Sequence, residues 1–400
     1  MADEYTREYV VPHHLQPRHR NVFILCDGTW NDENGKKNNG LITNVVKLFR
    51  ILGPDTERQI ARYYRGIGND DDYSWIKSLI AGATGHWEQD IRDNIYSTIV
   101  KEYRPGDRIH IFGFSRGAAT ARMIAMDLHE KGIPERIKIT TRSRQNRTTR
   151  NVENRFVNYE AEGRARPVAV EFLGAWDTVY AFGIPMNIAF IPFQSWDPFQ
   201  NHDIAPNIKR AVHLVAIDET RNPFKPKLMN AEPRVEEIWL PGVHSDVGGS
   251  FPEDTLGRIS LQLMIDRLAK HCGGYATRLE LDPSEYERYT KLDEDARYIW
   301  HFHGLRGWLI RKSIRDIHVQ VNEKPNRERK PDLYSIVDEL RNNRYTFSHI
   351  EGKQGGELVR FQYYPRNVKL LEGRITWVPR VMDGPSGSRK AKARKKRSGR

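Results

Sequence analysis

The sequence has only two cysteines and no long apolar run. Cys26 and Cys272 are too few for a disulfide framework or a cysteine-ligated zinc site. No stretch approaches the ~20 apolar residues that a membrane-spanning helix needs. The N-terminal residues are charged and lack the apolar core of a signal peptide. The sequence therefore predicts a protein that is cytoplasmic as synthesised and has no transmembrane segment.

An even charge distribution is also lacking. The chain has 64 basic and 52 acidic residues, a net charge of +12. Eight of the basic residues lie between Arg389 and Arg400, and without them 56 basic residues face 52 acidic ones. We expect residues 384–400, which begin with Gly-Pro-Ser-Gly-Ser, to be a disordered tail. Such a basic tail either binds anionic lipid or nucleic acid or only adds solubility.

Strand-like and helix-like segments alternate over most of the chain. Short apolar runs predict strands at 21–26, 60–64, 109–112, 168–173 and 236–240. Helical spacing of apolar residues predicts helices at 45–52, 87–103, 204–215 and 256–268. This alternation is typical of an α/β fold with a doubly wound, mainly parallel sheet.

The pattern predicts one domain, spanning residues 21–380. Residues 1–20 show no periodicity and are expected to be a flexible lead. Residues 136–155 are polar and densely basic, which indicates an exposed insertion. Past residue 275 the pattern weakens, and we expect a peripheral continuation of the same domain.

The strongest motif lies between Arg108 and Ala121. A short apolar strand ends in Gly113-Phe-Ser115-Arg-Gly117, and small residues typical of a tightly packed helix follow. A Gly-x-Ser-x-Gly sequence between a strand and a helix is typical of the strained turn that lifts a nucleophilic serine above a sheet. Ser115 is therefore a candidate nucleophile.

A nucleophilic serine needs a base, and the base needs an acid. Asp177 and His244 each follow a predicted strand, and the chain order Ser115, Asp177, His244 is typical of α/β-hydrolases. In a parallel sheet the ends of those strands share one edge, so the three side chains can converge. Asp246 and Asp218 are competing choices for the acid, and Asp246 also fits a residue that supports its loop by capping backbone.

Two N–H groups should stabilise the oxyanion of an acyl-transfer intermediate. We expect one from Arg116, directly after the serine, and one from the Gly28–Thr29 backbone after the first predicted strand. The alternative is that Asp27-Gly28-Thr29 is an ordinary turn. The tripeptide also resembles part of the motif of aspartyl-phosphate phosphatases, but their nucleophilic aspartate would stand where this chain has Leu25.

Residues 179–199 directly follow the candidate acid and are rich in large apolar side chains. Gly183, Pro185 and Pro192 interrupt the segment, so it cannot be one long helix. Two interpretations remain open. The side chains either pack against the sheet as core or form a mobile lid that binds an acyl chain and meets a lipid surface.

Four segments stand in order along the chain: 25–31, 113–118, 172–179 and 241–249. Their sequences are Leu-Cys-Asp-Gly-Thr-Trp-Asn, Gly-Phe-Ser-Arg-Gly-Ala, Phe-Leu-Gly-Ala-Trp-Asp-Thr-Val and Pro-Gly-Val-His-Ser-Asp-Val-Gly-Gly. Together they resemble the α/β-hydrolase family that includes the catalytic domain of type VI secretion phospholipase effectors. Tyr364-Pro-Arg-Asn367 resembles a weaker motif near the end of that domain.

The resemblance implies an α/β-hydrolase-like fold and a triad of Ser115, Asp177 and His244. The chain's own pattern adds insertions and the lid interpretation of residues 179–199. The resemblance also implies hydrolysis of carboxylic esters, foremost phospholipid acyl esters in a phospholipase A-type reaction, without a metal or other cofactor. It further implies contact with a membrane surface and delivery by a secretion system. The chain departs from the large effectors because it has no extra membrane-docking module, and its basic tail is not a family feature.

Two other functions remain open on the residues alone. A non-catalytic binding protein with a hydrolase fold would use the tail and residues 136–155 on nucleic acid or anionic membrane. A metal-dependent phosphoesterase would use His244, Asp246 and the run Asp70-Asp71-Asp72 as ligands. Such an acidic run is also typical of a solvated turn.

Overall fold

A computed structural model gives the fold. It describes residues 4–13, 19–28, 31, 33–35, 39–66, 84–145, 152–179, 202–252, 254–273, 279–292, 298–300, 313–342, 346–349, 358–371 and 373–381. The predicted lid beyond Val179, the acidic run 70–72 and the basic tail lie outside these residues.

The described strands form one large sheet and three small ones. They are β1 (Glu4–Val10), β2 (Asn21–Cys26), β3 (Gln59–Tyr64), β4 (Arg108–Phe114), β5 (Arg136–Gln145), β6 (Val152–Glu162), β7 (Val170–Trp176), β8 (Ala211–Ala216), β9 (Val235–Leu240), β10 (Tyr298–Trp300), β11 (Val319–Val321), β12 (Lys324–Asn326), β13 (Asp332–Tyr334), β14 (Thr346–His349), β15 (Leu358–Phe361) and β16 (Thr376–Val378).

The described helices cover both faces of the large sheet. They are α1 (Asn44–Leu52), α2 (Thr84–Glu102), α3 (Arg116–Lys131), α4 (His244–Gly248), α5 (Thr255–His271), α6 (Pro283–Thr290), α7 (Ile336–Asn342) and α8 (Arg366–Lys369). Among them none is both long and apolar enough to cross a bilayer.

The large sheet has eight strands in the order β16-β13-β9-β8-β7-β4-β2-β3, and its neighbouring strands pair in parallel. The order reverses between β2 and β4, because β3 lies outside β2 and the later strands add beyond β4. Such a switch point places the loops after two adjacent strands around a crevice, where ligands bind in open α/β sheets. The predicted fold class, an α/β-hydrolase-like doubly wound and mainly parallel sheet, is confirmed.

Alternation along the central strands explains the two-sided core. In β4, Phe112 and Phe114 pack with residues of α1 and α5 on one face, while Ile109 and Ile111 pack with residues of α2 and α3 on the other. Successive side chains of a strand point to opposite faces, so a continuous apolar run is needed when both faces are covered. This is why the central strands are uninterrupted runs in the sequence.

The predicted helix over residues 204–215 is wrong. Residues 211–216 form β8, a fully buried strand between β7 and β9. Apolar residues at helical spacing within a short, β-branched run do not distinguish a helix from a strand buried on both faces. The neighbouring parallel strands decide the conformation here.

The N-terminal residues and the basic insertion form a second sheet. β1 pairs antiparallel with β5, which also pairs antiparallel with β6, so residues 4–10 are a strand and not part of a flexible lead. Ile137 of β5 is fully buried, whereas charged residues of β1 and β5 stay on the surface. The sequence predicts a peripheral role for residues past 275, but β13 and β16 extend the large sheet.

Candidate active site

The turn from β4 into α3 brings two backbone segments into close contact. Ser115 sits at its apex with φ 58° and ψ −124°, outside the regions that L residues favour. A Cβ atom on Gly113 would lie 2.3 Å from the Gly117 carbonyl oxygen, and one on Gly117 would lie 2.2 Å from the Cys26 carbonyl oxygen. The two glycines of the motif are therefore required by the packing of the turn against itself and against the end of β2.

The substitution Gly117→Ala tests this packing. The new methyl group would lie 2.2 and 2.5 Å from the Cys26 and Asp27 carbonyl oxygens. Both are backbone atoms, which cannot relieve the clash by a rotamer change. We expect the free energy of unfolding, measured in urea, to fall by about 3 kcal/mol. Gly373→Ala is the control, because its Cβ would meet no atom within 4 Å and only its φ of +80° costs energy, about 1 kcal/mol. An equal loss in the two variants would contradict the packing argument.

The structure brings Ser115, His244 and Asp177 into one hydrogen-bonded chain. His244 Nε2 lies 2.9 Å from Ser115 Oγ, and His244 Nδ1 lies 2.5 Å from Asp177 Oδ2. All three residues are buried. The serine follows β4, the aspartate follows β7 and the histidine begins α4, so the three sequence-predicted residues meet at the carboxyl edge of the sheet. This geometry lets His244 accept the serine proton while Asp177 accepts a hydrogen bond from the other ring nitrogen.

Asp246 occupies a different position. Its Oδ2 accepts a hydrogen bond from the Val243 N–H at 2.8 Å, which caps the first turn of the short helix that begins at His244. Asp246 therefore acts on the backbone that carries His244. Asp218, the other competing acid, accepts hydrogen bonds from the Tyr363 hydroxyl at 2.6 Å and from the Gly242 N–H at 2.7 Å. Burial raises the pKa of Asp218 to about 7.

Aromatic rings cover the imidazole of His244 on two sides. The Phe114 ring centroid lies 4.6 Å from that of His244, and the edge-on Phe224 ring lies at 4.9 Å. Burial lowers the pKa of His244, and the charge of Asp177 and its hydrogen bond oppose this shift. The buried Glu219 accepts the His244 backbone N–H at 3.3 Å and is itself paired with Arg221. A lowered pKa favours the neutral imidazole, which is the form of histidine that can accept a proton.

Asp177 is held ionised by a residue that the sequence analysis missed. Its carboxylate accepts two hydrogen bonds from the Arg315 guanidinium, at 2.6 and 2.9 Å, and one from the Ala216 N–H at 2.9 Å. Burial would raise the pKa of this carboxyl, but the Arg315 charge and the bonds from His244 and Arg315 outweigh it and hold the pKa well below its usual range. The weak periodicity past residue 275 gave no signal for Arg315.

The two predicted oxyanion loops lie beside the serine. Arg116 is the first residue of α3, so its N–H has no carbonyl partner within the helix. A Cβ on Gly28 would lie 3.2 Å from Ser115 Cβ, which places that loop against the nucleophile. The Gly28 N–H, however, donates to Asp27 Oδ1 at 2.7 Å. Thr29 lies outside the described residues.

Asp27 is the second residue whose importance the sequence analysis missed. It is buried, and its other oxygen accepts hydrogen bonds from the hydroxyls of Tyr63 at 2.8 Å and Thr43 at 2.9 Å. The carboxylate thereby fixes the loop after β2 to β3 and to the start of α1. Asp-Gly is common in ordinary turns, so the sequence alone does not indicate that Asp27 has these long-range partners.

Of the residues in the metal-site alternative, His244 and Asp246 are described by the structure. Both ring nitrogens of His244 are hydrogen-bonded, and Asp246 turns to the helix backbone. Within the described part of the chain there is no group of three or more His, Cys, Asp and Glu side chains that could hold a metal ion. The run Asp70-Asp71-Asp72 is not among the described residues.

Comparisons with known proteins agree with the resemblance. The model of a family described as T6SS, Phospholipase effector Tle1-like, catalytic domain matches residues 20–267. The uncharacterized protein YEL023C of Saccharomyces cerevisiae is 26% identical over 248 residues, a match that spans 55% of this chain and 34% of the yeast protein.

Two solved structures are also similar to this chain. An uncharacterized protein from Pseudomonas aeruginosa is 19% identical with a TM-score of 0.42, over 69% of this chain and 49% of that one. The Tle1 effector bound to the VgrG spike of the Type 6 secretion system is 22% identical with a TM-score of 0.39, over 60% of this chain and 52% of that one. The matches span about a third to a half of the length of these relatives.

Proposed function

The chain belongs to the family of T6SS phospholipase effector Tle1-like catalytic domains, and on that premise we propose that it is a serine hydrolase of carboxylic esters. Ser115 is the nucleophile, His244 the general base and acid, and Asp177 the residue that orients His244. The observation that carries the proposal is the hydrogen-bonded chain from Ser115 Oγ through both ring nitrogens of His244 to Asp177. The serine of this chain sits on a strained turn in which Gly113 and Gly117 leave no room for a side chain.

The reaction proceeds in two halves. Ser115 Oγ attacks the carbonyl carbon of the ester while His244 Nε2 takes the hydroxyl proton. The tetrahedral oxyanion collapses as His244 returns that proton to the departing alcohol, which leaves an acyl group on Ser115. His244 then takes a proton from water, the hydroxide attacks the acyl carbon, and the proton goes back to Ser115 as the carboxylic acid leaves.

Backbone N–H groups stabilise the oxyanion in this mechanism. Arg116 supplies one from the start of α3, where the helix dipole adds to it. The second donor comes from the Gly28–Thr29 loop. Because the Gly28 N–H donates to Asp27, its use in the oxyanion hole requires that hydrogen bond to be exchanged for one to the substrate.

The substrate class we propose is the acyl ester of a phospholipid. The family description supports it, and the basic tail carries charge suited to an anionic surface. Delivery by a secretion system remains a prediction from the resemblance. A panel of micellar phospholipids and soluble p-nitrophenyl esters, assayed with the wild-type protein, tests the proposal. Release of free fatty acid from phospholipid supports it, and hydrolysis of neither substrate contradicts it.

The acid limb of the pH–rate profile should lie below the value of a free imidazole. Burial lowers the pKa of His244 from its usual 6.5, and the base is active only when neutral. As the pH falls, activity is lost only when it passes this lowered pKa. We therefore expect kcat/KM for p-nitrophenyl butyrate at pH 6.5 to exceed half of its plateau value. A midpoint of the acid limb above pH 6.5 would contradict the neutral, buried base.

A further inference from the structure

Arg315 reaches the candidate triad from outside the matched catalytic domain. The family match ends at residue 267, and Arg315 lies in the segment that leads into β11. Its side chain is only 3% exposed and contacts a fully buried Asp177. Nη1 donates to Oδ1 at 2.6 Å and Nη2 to Oδ2 at 2.9 Å, which is the paired geometry that a guanidinium makes with a carboxylate.

Other acceptors fix the plane of the guanidinium. Nη1 also donates to the Ala216 carbonyl at 2.7 Å, and Nη2 to the Phe224 carbonyl at 2.5 Å. Ala216 in turn donates its N–H to Asp177 Oδ1 at 2.9 Å. Phe224 also contacts the imidazole of His244. Arg315 therefore links the end of β8, at Ala216, to the segment that packs against His244.

The backbone of Arg315 is held by the weak C-terminal motif. Asn367 Nδ2 donates to the Arg315 carbonyl at 3.3 Å and to the Ile217 carbonyl at 3.1 Å. Tyr363 donates its hydroxyl to Asp218 at 2.6 Å, one residue further along the same loop. The residues around 363–367 thus fasten the arginine-bearing segment to the loop that follows β8.

We propose that Arg315 is the positioning residue of the triad, which holds the Asp177 carboxylate so that its Oδ2 faces His244 Nδ1. The inference rests on the proposed serine-hydrolase function and adds a fourth member, supplied by the C-terminal segment. Oδ1 is occupied by Ala216 and Arg315, so the carboxylate cannot rotate without breaking both bonds. Asp177 then presents Oδ2 to His244 and selects the tautomer whose Nε2 faces Ser115.

A purely structural role for Arg315 makes a different prediction from a positioning role. An arginine that only anchors its segment would, when replaced, reduce the folded fraction at every pH alike. Loss of the guanidinium removes a positive charge close to Asp177 and His244, which raises the pKa of His244. It also removes the largest contribution that opposes burial at Asp177, which raises the pKa of that carboxyl. Both changes move the acid limb of the pH–rate profile upward. Glu219 and Arg221, the other charged groups near His244, are unchanged by the substitution.

The experiment compares Arg315→Met and Arg315→Lys with the wild-type protein on p-nitrophenyl butyrate, with kcat and KM measured across pH. For Arg315→Met we expect kcat to fall by about 100-fold, and the acid limb to move up by roughly one unit. Arg315→Lys restores the charge without the paired geometry, so its acid limb should return toward the wild-type position while kcat stays reduced. KM should change little in both variants.

Arg20→Met is the matched control. Arg20 makes the same two-bond contact with a buried carboxylate, Asp107, at 3.2 and 2.7 Å. That pair lies at the start of β2 and β4, the edge of the sheet away from the triad. Arg20→Met should lower thermal stability and leave the acid limb in place.

The outcomes separate this inference from the proposed function. If the Ser115→Ala variant hydrolysed the ester as fast as the wild-type protein, the proposed function would be overturned. A serine-dependent wild type, with Arg315→Met retaining the wild-type acid limb, would overturn the inference alone. If the methionine variant does not fold, Arg315→Lys still tests the paired geometry, because its kcat should be reduced while its acid limb stays near the wild-type position. A lysine variant that shows neither a reduced kcat nor a changed profile contradicts the positioning role.

Discussion

Ser115→Ala should abolish hydrolysis of both phospholipid and soluble esters. In the proposed mechanism the Ser115 Oγ atom bonds to the acyl carbon, and His244 Nε2 lies 2.9 Å from it. We expect kcat to fall by at least about 10⁴-fold, the scale on which triad nucleophiles act. The loss should occur without a change in thermal stability, because alanine fits where the serine side chain stands.

Two further measurements distinguish a serine mechanism from metal-dependent hydrolysis. A fluorophosphonate probe should label the wild-type protein covalently and fail to label Ser115→Ala. Ser284→Ala, at the exposed start of α6, is the control and should label normally. Treatment with a chelator should leave the rate unchanged, since the nucleophile is a side chain and not metal-bound water. Activity that a chelator removes and added metal restores would reject the mechanism.

The parts of the site that could be predicted from sequence have local signatures. The elbow around Ser115 needs a strand, two glycines that admit close backbone approach and a helix of small residues, and all of these stand within fourteen residues. Asp177 and His244 each follow an apolar run of strand length. Since every such run ends at the same edge of a parallel sheet, the order of the strands along the chain was sufficient to bring the three together.

The parts that could not be predicted depend on partners far apart in the sequence. β1 is a strand because it pairs with β5, with Glu4 opposite Arg142. A short polar segment has no hydrophobic periodicity from which this pairing could be predicted. The apolar spacing of β8 predicts a helix, and the prediction fails because pairing with β7 and β9 on either side makes the segment a strand. Arg315 is one of many arginines in a segment of weak pattern. Only the folded chain shows that it faces the acid.

Asp177→Asn should be almost as damaging as loss of the nucleophile, for a reason that the surrounding donors dictate. The Oδ1 position faces the Ala216 N–H and the Arg315 guanidinium, both of which can only donate. In the described part of the chain the Oδ2 position faces one obligate donor, Arg315 Nη2, beside His244. Since two obligate donors face Oδ1, an asparagine would place its carbonyl oxygen there and its NH₂ group toward His244. That NH₂ donates to Nδ1, which moves the ring proton to Nε2, where it points at Ser115 and prevents the ring from accepting the serine proton. We expect kcat to fall by about 10⁴-fold.

Asp246→Asn provides the matched comparison, two residues from the base. Its Oδ2 accepts the Val243 N–H, and an asparagine oxygen can accept the same hydrogen bond. The negative charge at the start of a short helix is lost while this hydrogen bond is kept, which should cost about 1 kcal/mol of stability and no more than a few-fold in kcat. Both variants should be assayed for kcat and for thermal unfolding. If Asp246→Asn were the more severe in a folded protein, the acid role would pass from Asp177 to Asp246, and Arg315 would be paired with a carboxylate that does not orient the base.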